Sequence, residues 1–169
     1  VSLRNIELKA RLRNRTRAEA ACAGLNAAPQ GNLRQVDTYF HTPRGRLKLR
    51  EQSPGRNELI FYLRPDRAEA RGCDYWLAPA APETKALLAQ ALGLRCVVAK
   101  MRTLYLWENV RIHLDEVAGL GDFIEFEAVL DENHGEEDGL HKLRHLCDAF
   151  GIRPEDRCAL SYLELLESA

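Results

Sequence analysis

The sequence predicts an α+β fold, a closed antiparallel β-barrel of about eight strands forming a charged tunnel with helices packed outside. Three observations predict it. Strand after strand alternates charged and apolar residues, so that each has one charged and one apolar side. The apolar sides are continuous enough to need a cover, and amphipathic helical segments supply one. The charged sides are dense in Arg and carboxylate rather than in the Ser, Thr and Gln usual on solvated strands, which turns them inward.

The first strand shows the pattern over residues 5–13, N-I-E-L-K-A-R-L-R. Asn5, Glu7, Lys9, Arg11 and Arg13 alternate there with Ile6, Leu8, Ala10 and Leu12. Thr16-Arg17-Ala18-Glu19 has the form of a capping box and opens an Ala-rich helix that Gly24 stops. Gln35 to Phe40 is a strand closed by the turn His41-Thr42-Pro43-Arg44-Gly45. Arg46, Lys48 and Arg50 then share a side against Leu47 and Leu49, and Glu58, Tyr62 and Arg64 share one against Leu59, Phe61 and Leu63. A polar loop begins at Pro65, and a strand follows around Asp74 to Leu77.

Pro82 suits a helix first turn; Leu87, Leu88 and Leu92 make its stripe, and Gly93 ends it. In the next strand, Val97 to Trp107, Lys100 and Arg102 lie opposite Met101 and Tyr105. In Asn109 to Val117, Arg111, His113 and Asp115 lie opposite Ile112 and Leu114. The tight Gly119-Leu120-Gly121 connection leads into Phe123 to Leu130, with Glu125 and Glu127 opposite Ile124 and Phe126. Leu140, Leu143, Leu146 and Phe150 mark a helix ending at Gly151, and Leu160 to Leu166 is a last helical turn. No repeat or linker interrupts the order, so residues 1–169 are expected to form a single domain.

With 46% hydrophobic and 29% charged residues, the chain can bury a core without staples. A net charge of −1 excludes a nonspecific nucleic-acid binder, and no apolar run is long enough to span a bilayer. A membrane barrel is also polar inside, but its strands lack covering helices, and no charged-then-apolar signal segment opens this chain. The five cysteines form no C-x-x-C, which reads as free thiols in a reducing cytoplasm. Charge is segregated: Arg44, Arg46, Lys48 and Arg50 cluster, while Asp115 to Asp138 contains no Lys or Arg. Arginine forks match phosphate oxygens, and clustered carboxylates without a Cys or His set select Mg²⁺ or Mn²⁺. The expected ligand is a metal-bound polyphosphate.

The ordered set N-I-E-L-K-A-R-L, D-T-Y-F-H-T-P-R-G-R-L-K-L-R-E, V-V-A-K-M-R-T-L-Y, R-I-H-L-D-E-V-A-G-L-G-D-F-I-E-F-E and S-Y-L-E-L-L resembles the CYTH superfamily, whose fold is a triphosphate tunnel. Its bacterial class IV adenylate cyclase group is the nearest in flavour, and thiamine triphosphatases also belong to it. The resemblance implies basic triphosphate-binding positions at Lys9, Lys48, Arg50, Arg64, Lys100, Arg102 and Arg111, and metal-binding acids at Glu7, Asp115, Glu125 and Glu127. It implies catalytic roles for Glu7, Lys9, Tyr39 and Arg64.

Two positions depart from the family pattern. Asn5 stands where the E-x-E-x-K signature has its first Glu, offering a neutral carbonyl in place of a charge. Arg64 stands where the triphosphatase branch pairs a Lys with the Tyr that activates water, and a guanidinium does not readily accept a proton. The expected activity is therefore conversion of ATP to 3′,5′-cyclic AMP and pyrophosphate. The alternatives are hydrolysis of thiamine triphosphate or inorganic tripolyphosphate, and a non-catalytic nucleotide or polyphosphate-binding module. The expected partner is a nucleoside or organic triphosphate or an inorganic polyphosphate, with no nucleic acid or membrane, and with a homodimer left open. His141 and His145 are read as a solvated pair, Trp76 and Trp107 as packing residues, and Tyr162 as packing the last turn against the barrel.

Overall fold

The computed structural model describes residues 3–63 and 70–169. The strands are β1 (Leu3–Arg11), β2 (Ala28–Phe40), β3 (Arg46–Ser53), β4 (Glu58–Leu63), β5 (Arg71–Pro79), β6 (Leu94–Trp107), β7 (Val110–Val117) and β8 (Gly121–Val129). The helices are α1 (Arg15–Gly24), α2 (Thr84–Leu92), α3 (Glu136–Phe150) and α4 (Tyr162–Glu167), with a short 3₁₀ turn at Pro154–Asp156. The eight strands close into one barrel in the order β1-β5-β4-β3-β2-β6-β7-β8, and every pairing is antiparallel. Closure leaves no free sheet edge among these strands. Among the described residues, no helix is long and apolar enough to cross a membrane.

The side-chain period of two decides what the barrel encloses. On β1, β7 and β8 the apolar parity faces outward, where Ile6, Leu8, Ile112, Leu114, Ile124 and Phe126 are buried beneath α1 and α3. The helices return Ala18, Cys22, Leu143, Leu146 and Phe150 to that layer, and Phe126 meets Phe150 edge-on at 5.2 Å between ring centres. Each such aliphatic or aromatic side chain contributes about 1.5–3 kcal/mol on burial, so this layer is the main apolar store of the fold. Gly139 permits the close approach of α3, since a Cβ there would lie 3.3 Å from Ile6 and 3.5 Å from Ala128. Gly151 ends α3 in the left-handed region, at φ 64°, where glycine carries no steric cost.

Opposite, the cover is thinner. The stripe expected on α2 is not buried: Leu87 is 68% exposed, and Val97 and Met101 on the outside of β6 are also exposed. The helix forms at the expected place, but its leucines are not drawn into a core as those of α3 are. At α1 the cap is Asn14, whose side chain accepts from the Arg17 N–H, so the helix starts ahead of Thr16. Strand β2 begins at Ala28, well before Gln35, and passes an irregularity between Pro29 and Gly31. The polar loop beginning at Pro65 lies outside the described residues.

A second apolar cluster sits within one end of the barrel, where Val98, Val117 and Phe123 meet Tyr162 and Leu163 of α4. Ser161 caps α4 with a full capping box, its side chain accepting from the Glu164 N–H while the Glu164 carboxylate accepts from the Ser161 N–H. Arg46 donates to Glu164, and Arg95 grips Glu167 with two hydrogen bonds of 2.8 and 3.0 Å. These contacts fix α4 across that end and bring Tyr162 into the interior.

Candidate functional site

The inward parity encloses a cavity of about 420 Å³. Among the described residues that line it, Lys9, Lys48, Arg50, Lys100, Arg102 and Arg111 stand against the carboxylates Glu7, Asp37, Glu58, Glu125 and Glu127. The two signs are nearly balanced in number, so any preference for an anion comes from their arrangement. Cations gather on the wall formed by β3 and β6, while acids gather on β1 and β8. Strands β4 and β5 supply a largely uncharged sector that includes Ile60, Tyr62, Tyr75 and Leu77.

Asp37 is the hub of the cationic wall. Its Oδ1 accepts from Arg50 Nε at 2.7 Å, and its Oδ2 accepts from Arg50 Nη2 at 2.7 Å and from Lys48 and Lys100 Nζ, each at 2.9 Å. The register explains the convergence, because β2 sets Asp37 opposite Arg50 on β3, with Lys48 two residues along. Burial alone would push the Asp37 carboxyl up, but Arg50, Lys100 and Lys48 outweigh it and hold the acid well below the usual carboxylate range. Burial also lowers Lys100 to about 7; Asp37 opposes that fall, and Arg50 and Arg102 add to it.

Arg102 is aimed by Asp115. Its Nε and Nη2 each donate to an Asp115 oxygen at 2.7 Å, and Nη2 also reaches Glu125 at 3.1 Å. Tyr162 donates its hydroxyl to Asp115 at 2.8 Å. Asp115, expected among the metal-binding acids, is fully buried with both oxygens committed to these partners. The structure thus sets it behind Arg102, apart from the acids on the tunnel wall.

Those acids come from β1 and β8, whose register sets Glu7 opposite Glu127 and Lys9 opposite Glu125. Asn5 donates its side-chain amide to Glu127, and Asn5 Oδ1 is buried and accepts no hydrogen bond within the described residues. Arg111 approaches Glu127 at 3.4 Å, and His113 Nδ1 lies 3.3 Å from Glu125. Among the described residues no three His, Cys, Asp or Glu side chains form a preassembled metal cage. Three carboxylates and an unpartnered amide oxygen on neighbouring strands are nevertheless the hard donors that Mg²⁺ or Mn²⁺ takes, and the chemistry of the set fits such an ion.

Of the basic positions the resemblance implies, Lys9, Lys48, Arg50, Lys100, Arg102 and Arg111 line the cavity, while Arg64 lies outside the described residues. Tyr39 also lines it, with its hydroxyl 3.3 Å from that of Tyr62. Burial, and then Tyr62, push the Tyr39 hydroxyl well above its ordinary range, which keeps it protonated at neutral pH.

The sequence reading missed Asp37, Tyr62 and Tyr75 as site residues. The signal for Asp37 was the same alternation, since Gln35, Asp37 and Tyr39 share one side of β2 against Val36, Thr38 and Phe40. Tyr162, expected only to pack, also lines the tunnel, with Lys9 Nζ 4.2 Å above its ring centre. His145 stacks on Trp107 and Trp76 packs against Phe61, so neither tryptophan borders the cavity.

Solved structures share this architecture. The PH1012 protein from Pyrococcus horikoshii is 25% identical, with 95% of this chain and 98% of that one covered at a TM-score of 0.83. A proposed adenylate cyclase from Vibrio parahaemolyticus is 23% identical, covering 96% of this chain and 97% of that one at 0.79. A proposed adenylyl cyclase from Hippeastrum, described as having a dominant triphosphatase activity, is 16% identical, covering 97% and 95% at 0.67. No curated protein sequence matches the chain. The CYTH domain model matches residues 3–162, and with the charged barrel just described this shows that the chain belongs to the CYTH domain family.

Proposed function

We propose that the chain is a metal-dependent enzyme of the class IV adenylate cyclase type, converting ATP to 3′,5′-cyclic AMP and pyrophosphate. The observation that carries this reading is the convergence of Lys48, Arg50, Lys100 and Arg102 with Glu7, Glu125 and Glu127 inside one closed tunnel. Such an arrangement suits a polyanion on one wall and its divalent counterion on the other.

In this reading the 3′-hydroxyl gives up its proton to water and its oxygen bonds to the α-phosphorus as the bond from that phosphorus to the bridging oxygen of pyrophosphate breaks. Lys48, Arg50, Lys100 and Arg102 stabilise the charge that gathers on the departing pyrophosphate. Glu7, Glu125, Glu127 and the Asn5 carbonyl are the donors for Mg²⁺ or Mn²⁺, which when bound supplies Lewis-acid polarisation of phosphate oxygens. Ile60, Tyr62, Tyr75 and Leu77 offer the nucleoside an uncharged wall. That sector favours a cyclase, and the protonated Tyr39 hydroxyl is not available as the base a tyrosine-dependent hydrolase would use.

Product analysis tests the proposal. The purified protein is incubated with ATP, tripolyphosphate and thiamine triphosphate in turn, first with Mg²⁺ and then with Mn²⁺. Cyclic AMP and pyrophosphate are expected from ATP. Orthophosphate instead assigns the chain to the hydrolases, and binding without turnover makes it a sensor module.

A further inference from the structure

The cationic wall faces an electrostatic problem before any ligand arrives. Lys48, Arg50, Lys100 and Arg102 are each largely or wholly withdrawn from water, and like charges so close disfavour one another's protonation. Around Lys100 stand Asp37 from β2, Lys48 and Arg50 from β3, Arg102 on its own strand, Asp115 from β7, and the Tyr162 ring of α4 at 6.0 Å. Lys9 of β1 sits over that same ring at 4.2 Å. Of the two carboxylates in this group, Asp115 has both oxygens on Arg102, so Asp37 is the acid that bonds Lys100 directly.

We propose that Asp37 is a positioning residue, a resident counter-anion that favours the protonated forms of Lys48 and Lys100 and aims them into the tunnel so that they can receive a triphosphate. The proposal rests on the triphosphate reading above. An ammonium carries three N–H donors, and Asp37 takes one from each lysine through the same Oδ2, which leaves donors for phosphate oxygens. Asp37 also fixes Arg50 through two hydrogen bonds, so one carboxylate orients three cations. At 1% exposure it has no solvent role to perform.

The consequence lies in pH dependence. A polyphosphate binds the protonated lysines better, so affinity is steady below the pKa of the empty site and declines above it. With Asp37 present, Lys100 titrates at about 7. Removing the negative charge leaves burial, Arg50 and Arg102 unopposed at Lys100, and the decline moves to more acid pH.

The experiment is calorimetric titration with inorganic tripolyphosphate from pH 5.5 to 8.5, on the wild-type chain, Asp37→Asn and Lys100→Arg, with folding checked by circular dichroism. The ligand's own titration is common to all three. The expected result is a decline beginning near pH 7 in the wild type, shifted at least one pH unit lower in Asp37→Asn with near-recovery at acid pH. In Lys100→Arg, whose guanidinium does not titrate in this range, the decline at pH 7 should vanish. If Asp37→Asn fails to fold, the Lys100→Arg comparison still decides, because a decline that persists there overturns the proposal. A uniform loss of affinity in Asp37→Asn at every pH, or tighter binding throughout, also overturns it. A wild-type chain that binds no tripolyphosphate at any pH overturns the triphosphate reading, and the proposal with it.

Discussion

Arg102 and Asp115 face each other across β6 and β7 through two parallel hydrogen bonds of 2.7 Å, both side chains nearly withdrawn from solvent. The register pairs the two residues directly, so the guanidinium needs no side-chain search to find its partner. A guanidinium held this way is fixed in orientation from behind, with its remaining N–H groups free to face the tunnel.

Asp115→Asn should therefore damage both fold and binding. It leaves the buried Arg102 without its charged partner and leaves a single oxygen to accept where Asp115 offers two to Arg102 and the Tyr162 hydroxyl. Breaking a buried pair costs about 3–5 kcal/mol. Denaturant unfolding should show a loss of that order, and Tyr162→Phe, which removes only one hydrogen bond, should cost about 1–2 kcal/mol.

Substitutions on the tunnel wall should separate from those outside it. Glu127→Ala and Arg50→Ala should each reduce turnover of a triphosphate by about 10²–10³, the range for removing a preorganised electrostatic contact. His141→Ala, on the exposed face of α3, should leave turnover within about twofold. Steady-state kinetics on the three variants checks this, and loss of activity in His141→Ala with Glu127→Ala intact would remove the site from the tunnel.

In the proposed reading, Asn5 sets the strength of the cation site. Its amide is tied to Glu127 while its carbonyl oxygen is buried without a partner. Asn5→Glu should bind Mn²⁺ about tenfold more tightly, because carboxylate count tunes the affinity of hard-cation sites. Equilibrium titration of Mn²⁺ measures it, and an unchanged affinity would place the cation elsewhere.

Acid should loosen α4. Burial raises the Glu164 carboxyl, but the Ser161 N–H and Arg46 outweigh it and hold the group at about 2, below its ordinary value of 4.5. A depressed acid contributes stability that is complete above the unfolded pKa and is lost as pH falls through the folded one. The wild-type chain should lose stability between about pH 5 and pH 2. Glu164→Gln should show a smaller loss over that window in thermal melts.

The barrel and most of its wall were legible because alternation of charge and apolarity survives whatever the partners are. Lys48, Arg50, Lys100, Arg102, Glu125 and Glu127 could be assigned a common side without knowing what lies opposite. What alternation cannot supply is depth and pairing. Asp115 shares parity with the tunnel residues His113 and Arg111, yet its position beside Arg102 and beneath Tyr162 commits it to protein partners. Asp37 sits in a strand with few charged residues, and its role emerges only when β3 and β6 bring three cations to it. The leucines of α2 show the converse, because a helical stripe of apolar residues does not ensure that a surface waits to bury them.

The central claim, that the cationic wall of the tunnel receives a triphosphate, is tested most directly by calorimetric titration with a non-hydrolysable methylene analogue of ATP in the presence of Mg²⁺. The account predicts saturable binding at one site, weakened by about 100-fold in Arg50→Ala and unchanged in His141→Ala. Binding that is absent in the wild type, or equally strong after Arg50→Ala, would contradict it.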